Sequence, residues 1–168
     1  MTSEFESILN LKGINPTPLG NDADSVEMLE LETKDLVHAC KLLKESSFDF
    51  LVLITTTDIK KGYQSIYTLH STKTKKNLRI KVTVAKESPM VPTISHIWVT
   101  ADWFEREAYD MMGIIYTGHP NLKRILNPEN WEGFPLRKDY IPPVDALNGP
   151  HPLTETKYAE KTLTKTSQ

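Results

Sequence analysis

Apolar and polar residues alternate in two central segments of the chain, and this alternation predicts neighbouring strands. From Leu78 to Val84, every second side chain is apolar and the side chains between them are polar or charged. A period of two is typical of a strand with one face on a hydrophobic core. The preceding segment Tyr63–Ser71 alternates in a similar way. We therefore expect adjacent antiparallel strands, with these side chains facing inward: Leu78, Ile80, Val82 and Val84.

Two further apolar runs predict additional strands. The run Phe48–Thr57 is dense in apolar and β-branched residues, which is typical of a strand covered on both faces. A Lys-Lys-Gly sequence at 60–62 then predicts a turn, and the shorter run Val26–Leu31 predicts a strand nearer the N-terminus. Pro89 and Pro92 are expected to end the sheet, because proline cannot donate a main-chain hydrogen bond to a neighbouring strand.

Two helices are predicted in the first quarter of the chain. Ser3–Leu11 fits a short helix, and the Pro-, Gly-, Asn- and Asp-rich residues Asn15–Asp24 predict a loop after it. Thr33 is expected to be the N-cap of a second helix, whose apolar residues recur at helical spacing. Lys44 suits the end of this helix, because a positive charge is favourable near a helix C-terminus.

A third helix is predicted at 103–112. Asp102 and Glu105 have the spacing of a capping box, with Asp in place of the usual Ser or Thr. Gly113 supplies a residue that adopts the left-handed conformation at a helix end. The chain therefore changes from helix to another structure at Gly113.

Beyond Gly113 the periodicity disappears, while Gly, Pro, Trp and paired basic residues accumulate. Residues 114–140 are expected to be extended and ordered by contacts other than their own secondary structure. Residues 141–168 are expected to be a tail that is flexible or ordered on partners, since few apolar residues offset the entropy cost of folding. The chain is thus divided into a core domain at 1–113, an interface segment at 114–140 and a tail.

These elements predict an α+β fold in a single domain, with a mixed, largely antiparallel sheet of about four strands flanked by helices. A length of 168 residues and a composition of 39% apolar and 25% charged residues suit one globular core. The chain contains no apolar stretch of about 18 residues, and its first residues are acidic, so neither a membrane span nor a signal peptide is expected.

Charge and cysteine content exclude several classes of function. The net charge of −2 disfavours a nucleic-acid-binding protein, which needs a basic surface to neutralise phosphates. Cys40 is the single cysteine, so the chain has no internal disulfide, no four-cysteine zinc site and no self-sufficient iron-sulfur cluster. A reducing compartment is the natural expectation.

The third helix carries the densest group of candidate catalytic side chains. Glu105, Glu107 and Asp110 could hold a hard metal ion or form an acid/base pair. Helical geometry points Glu105 well away from Glu107 and places Arg106 four residues before Asp110. A salt-bridged helix surface is therefore favoured over a metal site.

The remaining candidates are a histidine and two basic pairs. His119 lies in a Thr-Gly-His-Pro turn with no second ligand at metal spacing, which favours a structural role. No glycine-rich phosphate-binding loop occurs in the sequence. The basic pairs at 123–124 and 137–138, with Trp131 and Phe134 between them, are typical of a protein interface, although packing of Trp103, Trp131 and Tyr140 in the core is an open alternative.

A long signature runs through this part of the chain. Residues 105–114 read EREAYDMMGI, followed by Gly-His-Pro at 118–120, Leu-Lys-Arg-Ile-Leu at 122–126, Pro-Glu-Asn-Trp-Glu-Gly at 128–133 and Pro-Leu-Arg-Lys-Asp-Tyr at 135–140. This signature resembles the thirty-kilodalton subunit family of complex I. Departures are Asn127, where relatives often have Met, and Met111-Met112, where an aromatic residue is frequent at the second place. The resemblance marks these residues as structural or interface positions: Trp103, Glu105, Arg106, Glu107, Asp110, Gly113, His119, Pro120, Lys123, Arg124, Trp131, Gly133, Pro135, Leu136, Arg137, Lys138, Asp139 and Tyr140.

The resemblance implies a subunit of the peripheral arm of a proton-pumping NAD(P)H-quinone oxidoreductase, with no catalytic residue, cofactor or metal of its own. The parent complex would use FMN, iron-sulfur clusters, NAD(P)H or ferredoxin, and quinone. The implied partners are the quinone-cavity subunit and the iron-sulfur subunits, on the cytoplasmic or stromal-type side of an energy-transducing membrane, with membrane contact only through the complex. The competing hypotheses are a metal-dependent hydrolase that uses Glu105, Glu107, Asp110 and His119, and an RNA-associated adaptor that uses the basic pairs.

Overall fold

The alternating segments build a mixed five-stranded sheet in a computed structural model that describes residues 4–142. The strand order is β1-β2-β5-β4-β3, where neighbouring strands are hydrogen-bonded. β3, β4 and β5 are antiparallel, β2 is parallel to β5, and β1 is antiparallel to β2. The predicted mixed, largely antiparallel sheet is confirmed, with five strands rather than four: β1 Thr17–Asn21, β2 Glu27–Leu31, β3 Phe50–Ile59, β4 Gly62–His70 and β5 Asn77–Val84.

The three predicted helices are present, whereas the N-caps predicted for the second and third helices are wrong. They are α1 Glu4–Asn10, α2 Leu36–Glu45 and α3 Ala101–Met112. Thr33 begins a short 3-10 turn before α2 and does not cap it with its side chain. Asp102 lies inside α3, and Thr100 precedes the helix without a side-chain cap. Gly113 ends α3 as predicted, with a φ of 72° and its N–H bonded to the Tyr109 carbonyl.

Two structures were not predicted. The expected loop at 15–24 contains β1, an exposed edge strand that accommodates Pro18 and Gly20 because one of its sides has no partner among the described strands. A second sheet pairs β6 Met90–Pro92 in parallel with β7 Ile115–Thr117. These two strands are short and far apart in sequence, so no local periodicity reveals their pairing.

The hydrophobic core covers one face of the large sheet. Leu78, Ile80, Val82 and Val84 are buried, as predicted. The prediction that the third strand is covered on both faces is wrong, because β3 is an edge strand with three exposed apolar residues: Phe50, Val52 and Leu53. The described part of the chain therefore covers the apolar side chains of β3 only in part.

Residues Met1–Lys138 form one compact unit, so the described segment 114–138 belongs to the same unit as the sheet. A second unit begins at Asp139, and only its residues 139–142 are described. The predicted behaviour of the tail concerns residues that, beyond Pro142, lie outside the described part of the chain. Within residues 4–142, no helix is long and apolar enough to cross a membrane.

Candidate functional site

Three residues spaced four apart on α3, Asp102, Arg106 and Asp110, form a stripe that holds the segment following β7. This segment, residues 119–138, is called the strap below. His119 Nε2 lies 3.3 Å from the Asp102 carbonyl oxygen at one end of the stripe. In the middle, the Arg106 guanidinium donates to the carbonyls of Lys123 and Arg124 at 3.2 and 3.4 Å. The strap therefore runs along the helix in the same direction as the helix itself.

Asp110, the third member of the stripe, binds the strap most extensively. Its fully buried carboxylate accepts hydrogen bonds from the main-chain N–H groups of Ile125, Leu126 and Asn127 at 3.1, 2.7 and 2.9 Å. It also accepts from the Asn127 side chain at 2.9 Å and from Arg124 Nη1 at 2.7 Å. One carboxylate thus fixes three consecutive residues of a segment that has no regular secondary structure.

The electrostatics of Asp110 follow from these contacts. Burial acts to raise the pKa of its carboxyl, but the hydrogen bonds from Asn127, Arg124 and Leu126 outweigh burial and lower the pKa to about 2. Asp110 is therefore ionised at neutral pH and forms a buried ion pair with Arg124. Removal of either partner would leave the other charge buried without compensation, which is strongly destabilising.

Two arginines continue the attachment around the C-terminal end of α3. Arg124 Nη2 donates to the carbonyls of Trp131 and Gly133, both at 3.0 Å. Arg137 Nε donates to the Met112 carbonyl at 2.8 Å. Both guanidinium groups stack on the Phe134 ring, with distances to the ring centroid of 5.2 Å for Arg124 and 4.3 Å for Arg137. The carbonyls of Met111 and Met112, left free at the helix end, thus receive donors from Leu136 and Arg137 of the strap.

The close approach at Gly113 explains why a glycine stands at this turn. A Cβ atom on Gly113 would lie 2.4 Å from Arg137 Nη2 and 2.6 Å from a ring carbon of Phe134. The strap ends at the sheet, where the Lys138 N–H donates to the Asp58 carboxylate at 3.0 Å. Asp58 also pairs with Lys86 at 2.6 Å, which lowers its pKa.

Glu105 is buried on another face of α3 and binds the chain after β6. It accepts hydrogen bonds from the Thr93 hydroxyl and from the Ile94 N–H, the latter at 2.8 Å. Burial dominates its electrostatics and raises its pKa to about 7, even though both hydrogen bonds act in the opposite direction. His119 Nε2 lies 3.9 Å from this carboxylate, while His119 Nδ1 accepts from the Asn121 N–H at 3.0 Å.

The predicted salt-bridged surface on α3 is wrong. Glu105, Arg106 and Asp110 are buried, and Asp110 pairs with Arg124 of the strap instead of with Arg106. Arg106 lies 3.9 Å from Asp102 and stacks on Trp103 at 5.2 Å. These charged groups bind main-chain atoms of distant segments, a role that helical spacing alone does not reveal.

The four residues of the hydrolase hypothesis are not brought together. Glu105 and His119 are close, Asp110 is fully occupied by the strap, and Glu107 is exposed. Within residues 4–142, no group of three or more His, Cys, Asp or Glu side chains is arranged to hold a metal ion.

Three apolar residues of this region remain largely exposed: Trp103 on α3, and Leu126 and Leu136 on the strap. The alternative prediction that Trp103 packs in the core is therefore wrong. The other signature residues occupy mixed environments: Pro120, Lys123, Gly133 and Lys138 are exposed, while Trp131 and Pro135 are half-buried. Asp139 and Tyr140 belong to the second unit, where Asp139 is exposed and Tyr140 is half-buried.

The sequence patterns do not reveal the contributions of Thr93 and Asp58. Thr93 gives no signal of its own, because its contact with Glu105 joins distant parts of the chain. Asp58 gives a faint signal as a lone charge at the end of an apolar strand. A buried lone charge of this kind generally has a partner.

Comparison with known proteins identifies relatives over most of the chain. Residues 29–145 match the family described as respiratory-chain NADH dehydrogenase, 30 Kd subunit. The chloroplastic NAD(P)H-quinone oxidoreductase subunit J of Chaetosphaeridium globosum is 42% identical over 132 residues, which cover 75% of this chain and 79% of the relative.

Solved structures share the fold. A trypsin-resistant fragment of Nqo5 matches with a TM-score of 0.58 and 25% identity, covering 67% of this chain and 92% of the fragment. A chain of the membrane-bound sulfane sulfur reductase, an archaeal respiratory membrane complex, matches with a TM-score of 0.70 over 93% of this chain and 88% of its own length. At 21% identity, the second match is evidence for the fold alone.

Proposed function

Because the chain belongs to the family of the respiratory-chain NADH dehydrogenase 30 Kd subunit, we propose that it is a structural subunit of the peripheral arm that binds neighbouring subunits and carries no redox centre. In this role it contributes surfaces to an NAD(P)H-quinone oxidoreductase, and other subunits contribute the chemistry.

The use of the buried charges within the chain carries this proposal. The side chains of Arg106, Asp110 and Arg124 form their hydrogen bonds with groups of α3 and the strap. They therefore hold a surface in place and do not face a substrate. The surface they hold includes exposed Leu126 and Leu136, with Trp103 on the adjoining helix. Large apolar and aromatic side chains on a rigid support are typical anchors of protein interfaces.

The cysteine chemistry supports the same role. Iron-sulfur clusters are held by several cysteine thiolates, whereas this chain has Cys40 alone. Burial, with a smaller contribution from the charge of Glu105, raises the pKa of the Cys40 thiol. A buried protonated thiol is a poor metal ligand. Electrons would therefore pass from NAD(P)H or ferredoxin to quinone through FMN and clusters of other subunits.

The proposed partners are the quinone-cavity subunit and the iron-sulfur subunits. The chain would lie on the cytoplasmic or stromal-type side of the membrane and reach the membrane only through the complex. Trp131, Arg124 and Arg137 are proposed to contribute to the interface through the strap, either directly or by fixing its shape.

Pull-down of the N-terminally tagged chain from detergent-solubilised membranes tests the proposal. The quinone-cavity and iron-sulfur subunits are expected to be recovered with it, in smaller amount for a Trp103→Ala, Leu126→Ala double variant. Leu11→Ala is the matched control, because Leu11 is an exposed apolar residue just after α1, outside the proposed surface. Recovery of none of these subunits with the unaltered chain would reject the proposal.

A further inference from the structure

The free side of β3 is an unusual feature of the large sheet. β3 has ten residues and lies at one end of the strand order, so β4 is its one neighbour among the described strands. No main-chain hydrogen bond from another described segment reaches its free side. Part of its main-chain N–H and C=O groups therefore points away from the sheet without a main-chain partner.

The composition of β3 gives this edge little of the usual protection. Isolated proteins shield edge strands with charged residues, proline or irregular pairing. The other edge, β1, has Pro18, Gly20 and a shift in its pairing with β2. β3 also has an irregularity between Leu51 and Leu53, but it contains no proline and its first charged residue is Asp58.

The first half of β3 is apolar as well as unpaired. Phe50, Val52 and Leu53 are 50%, 38% and 36% exposed. Further along, Ile54–Thr56 border a small cavity together with Glu107, Met111 and Leu136, so α3 and the strap lie beside that part. The accessible stretch is thus Phe50–Leu53. Its start is held in place by Asp49, whose carboxylate accepts from the Thr72 N–H at 2.8 Å.

We propose that the edge at Phe50–Leu53 accepts an extended segment of a neighbouring subunit as an added strand. This inference rests on the proposed function, because it supplies one of the surfaces through which the chain joins the complex. Unpaired main-chain donors and acceptors at strand spacing are complementary to another extended main chain.

The chemistry of the edge also specifies the partner segment. The residues from Phe50 to Thr57 carry no charge, so an acidic or basic segment gains no ion pair with these strand residues. In the β3–β4 pairing, Phe50 and Leu53 lie opposite His70 and Thr68, on the face of the sheet away from the core. An uncharged segment with apolar or β-branched residues on that same face completes the cross-strand contacts.

Hydrogen exchange of the main-chain amides tests the inference on the full chain, alone and within the purified complex. The outward-pointing amides in residues 50–53 are expected to exchange about 100-fold more slowly in the complex, because an added strand would hydrogen-bond to them. Amides of β1 serve as the internal control.

A lysine variant provides a second measurement. Val52→Lys places a charge at the exposed irregularity and is expected to lower recovery of companion subunits about tenfold, as charged residues do at natural edges. Leu11→Lys is the control at an exposed apolar position, and thermal unfolding of both variants verifies that they fold.

The outcomes separate this inference from the proposed function. Recovery of companion subunits without protection at 50–53 would overturn the added strand and leave the proposed function standing. Protection that already occurs in the free chain and grows with its concentration would identify a second copy as the occupant and overturn the inference. Failure of the unaltered chain to recover any companion would overturn both.

Discussion

Replacement of Asp110 by asparagine tests whether one carboxylate holds the strap to α3. Asp110→Asn keeps the shape of the side chain and removes its charge, while five hydrogen bonds converge on the carboxylate in the folded protein. The new amide nitrogen cannot accept a hydrogen bond. It would face N–H groups that also only donate, so at least one of the present hydrogen bonds is lost. The strap should therefore lose its principal attachment.

The magnitude follows from the pKa of Asp110. Lowering this pKa from 3.8 to about 2 corresponds to about 2.5 kcal/mol in favour of the ionised carboxylate in the folded state. Removal of one partner from a buried ion pair typically costs about 3 to 5 kcal/mol, because the other charge stays buried without compensation. We expect the free energy of unfolding to fall by about 3 kcal/mol.

Urea unfolding followed by tryptophan fluorescence measures this loss, with Glu107→Gln as the control on the exposed face of the same helix. The control should change the free energy of unfolding by less than about 0.5 kcal/mol. The contribution of Asp110 is full above pH 4 and is lost as pH falls towards 2, because the folded state favours the ionised form. Equal stability of the two variants, or a difference unaffected by acid, would refute the reasoning.

Three further changes test other parts of the structure. Glu105→Gln should make stability less dependent on pH: the pKa of about 7 means that the folded wild type favours the protonated carboxyl and loses up to about 3 kcal/mol as pH rises from 4.5 to 7. Parallel pH profiles of unfolding for the two proteins would contradict this. Gly113→Ala should lower the free energy of unfolding by about 1 kcal/mol or more beyond the effect of Gly20→Ala. Both glycines have positive φ, but only Gly113 lies close to Phe134. Equal melting temperatures of the two variants would argue against the close approach. Trp131→Ala should weaken assembly of the peripheral arm by about 2 kcal/mol or more while the sheet stays folded, as judged by native gels and thermal unfolding. An intact complex with selectively lost electron transfer would reject the role of Trp131 as an anchor.

The fold was predictable wherever local patterns decide the structure. The alternation from Leu78 to Val84, the helical spacing in α2 and the left-handed Gly113 each act within a few residues, and the structure confirms them. The pairing of β6 with β7 joins residues far apart in sequence, and it could not be read from either segment alone. The position of β3 at the edge likewise depends on the order of all five strands.

In the signature region, too, some features follow from local sequence and others depend on distant residues. Several of its residues, Arg106, Asp110, Arg124 and Arg137, build the contacts between α3 and the strap. Their burial was not predictable from helical spacing, because Glu105 and Asp110 are satisfied by main-chain groups from elsewhere in the chain. A carboxylate that binds main-chain N–H groups looks in sequence like one that faces water.

The redox content of the purified chain tests whether this subunit works without a redox centre of its own. Iron, other metals and flavin would be quantified in the isolated chain and in the complex recovered with it. Quinone reduction would be measured for each. We predict no stoichiometric redox centre and no turnover in the isolated chain, and both in the complex. A stoichiometric cluster, flavin or catalytic metal bound by the chain alone, or turnover without its companions, would contradict this prediction.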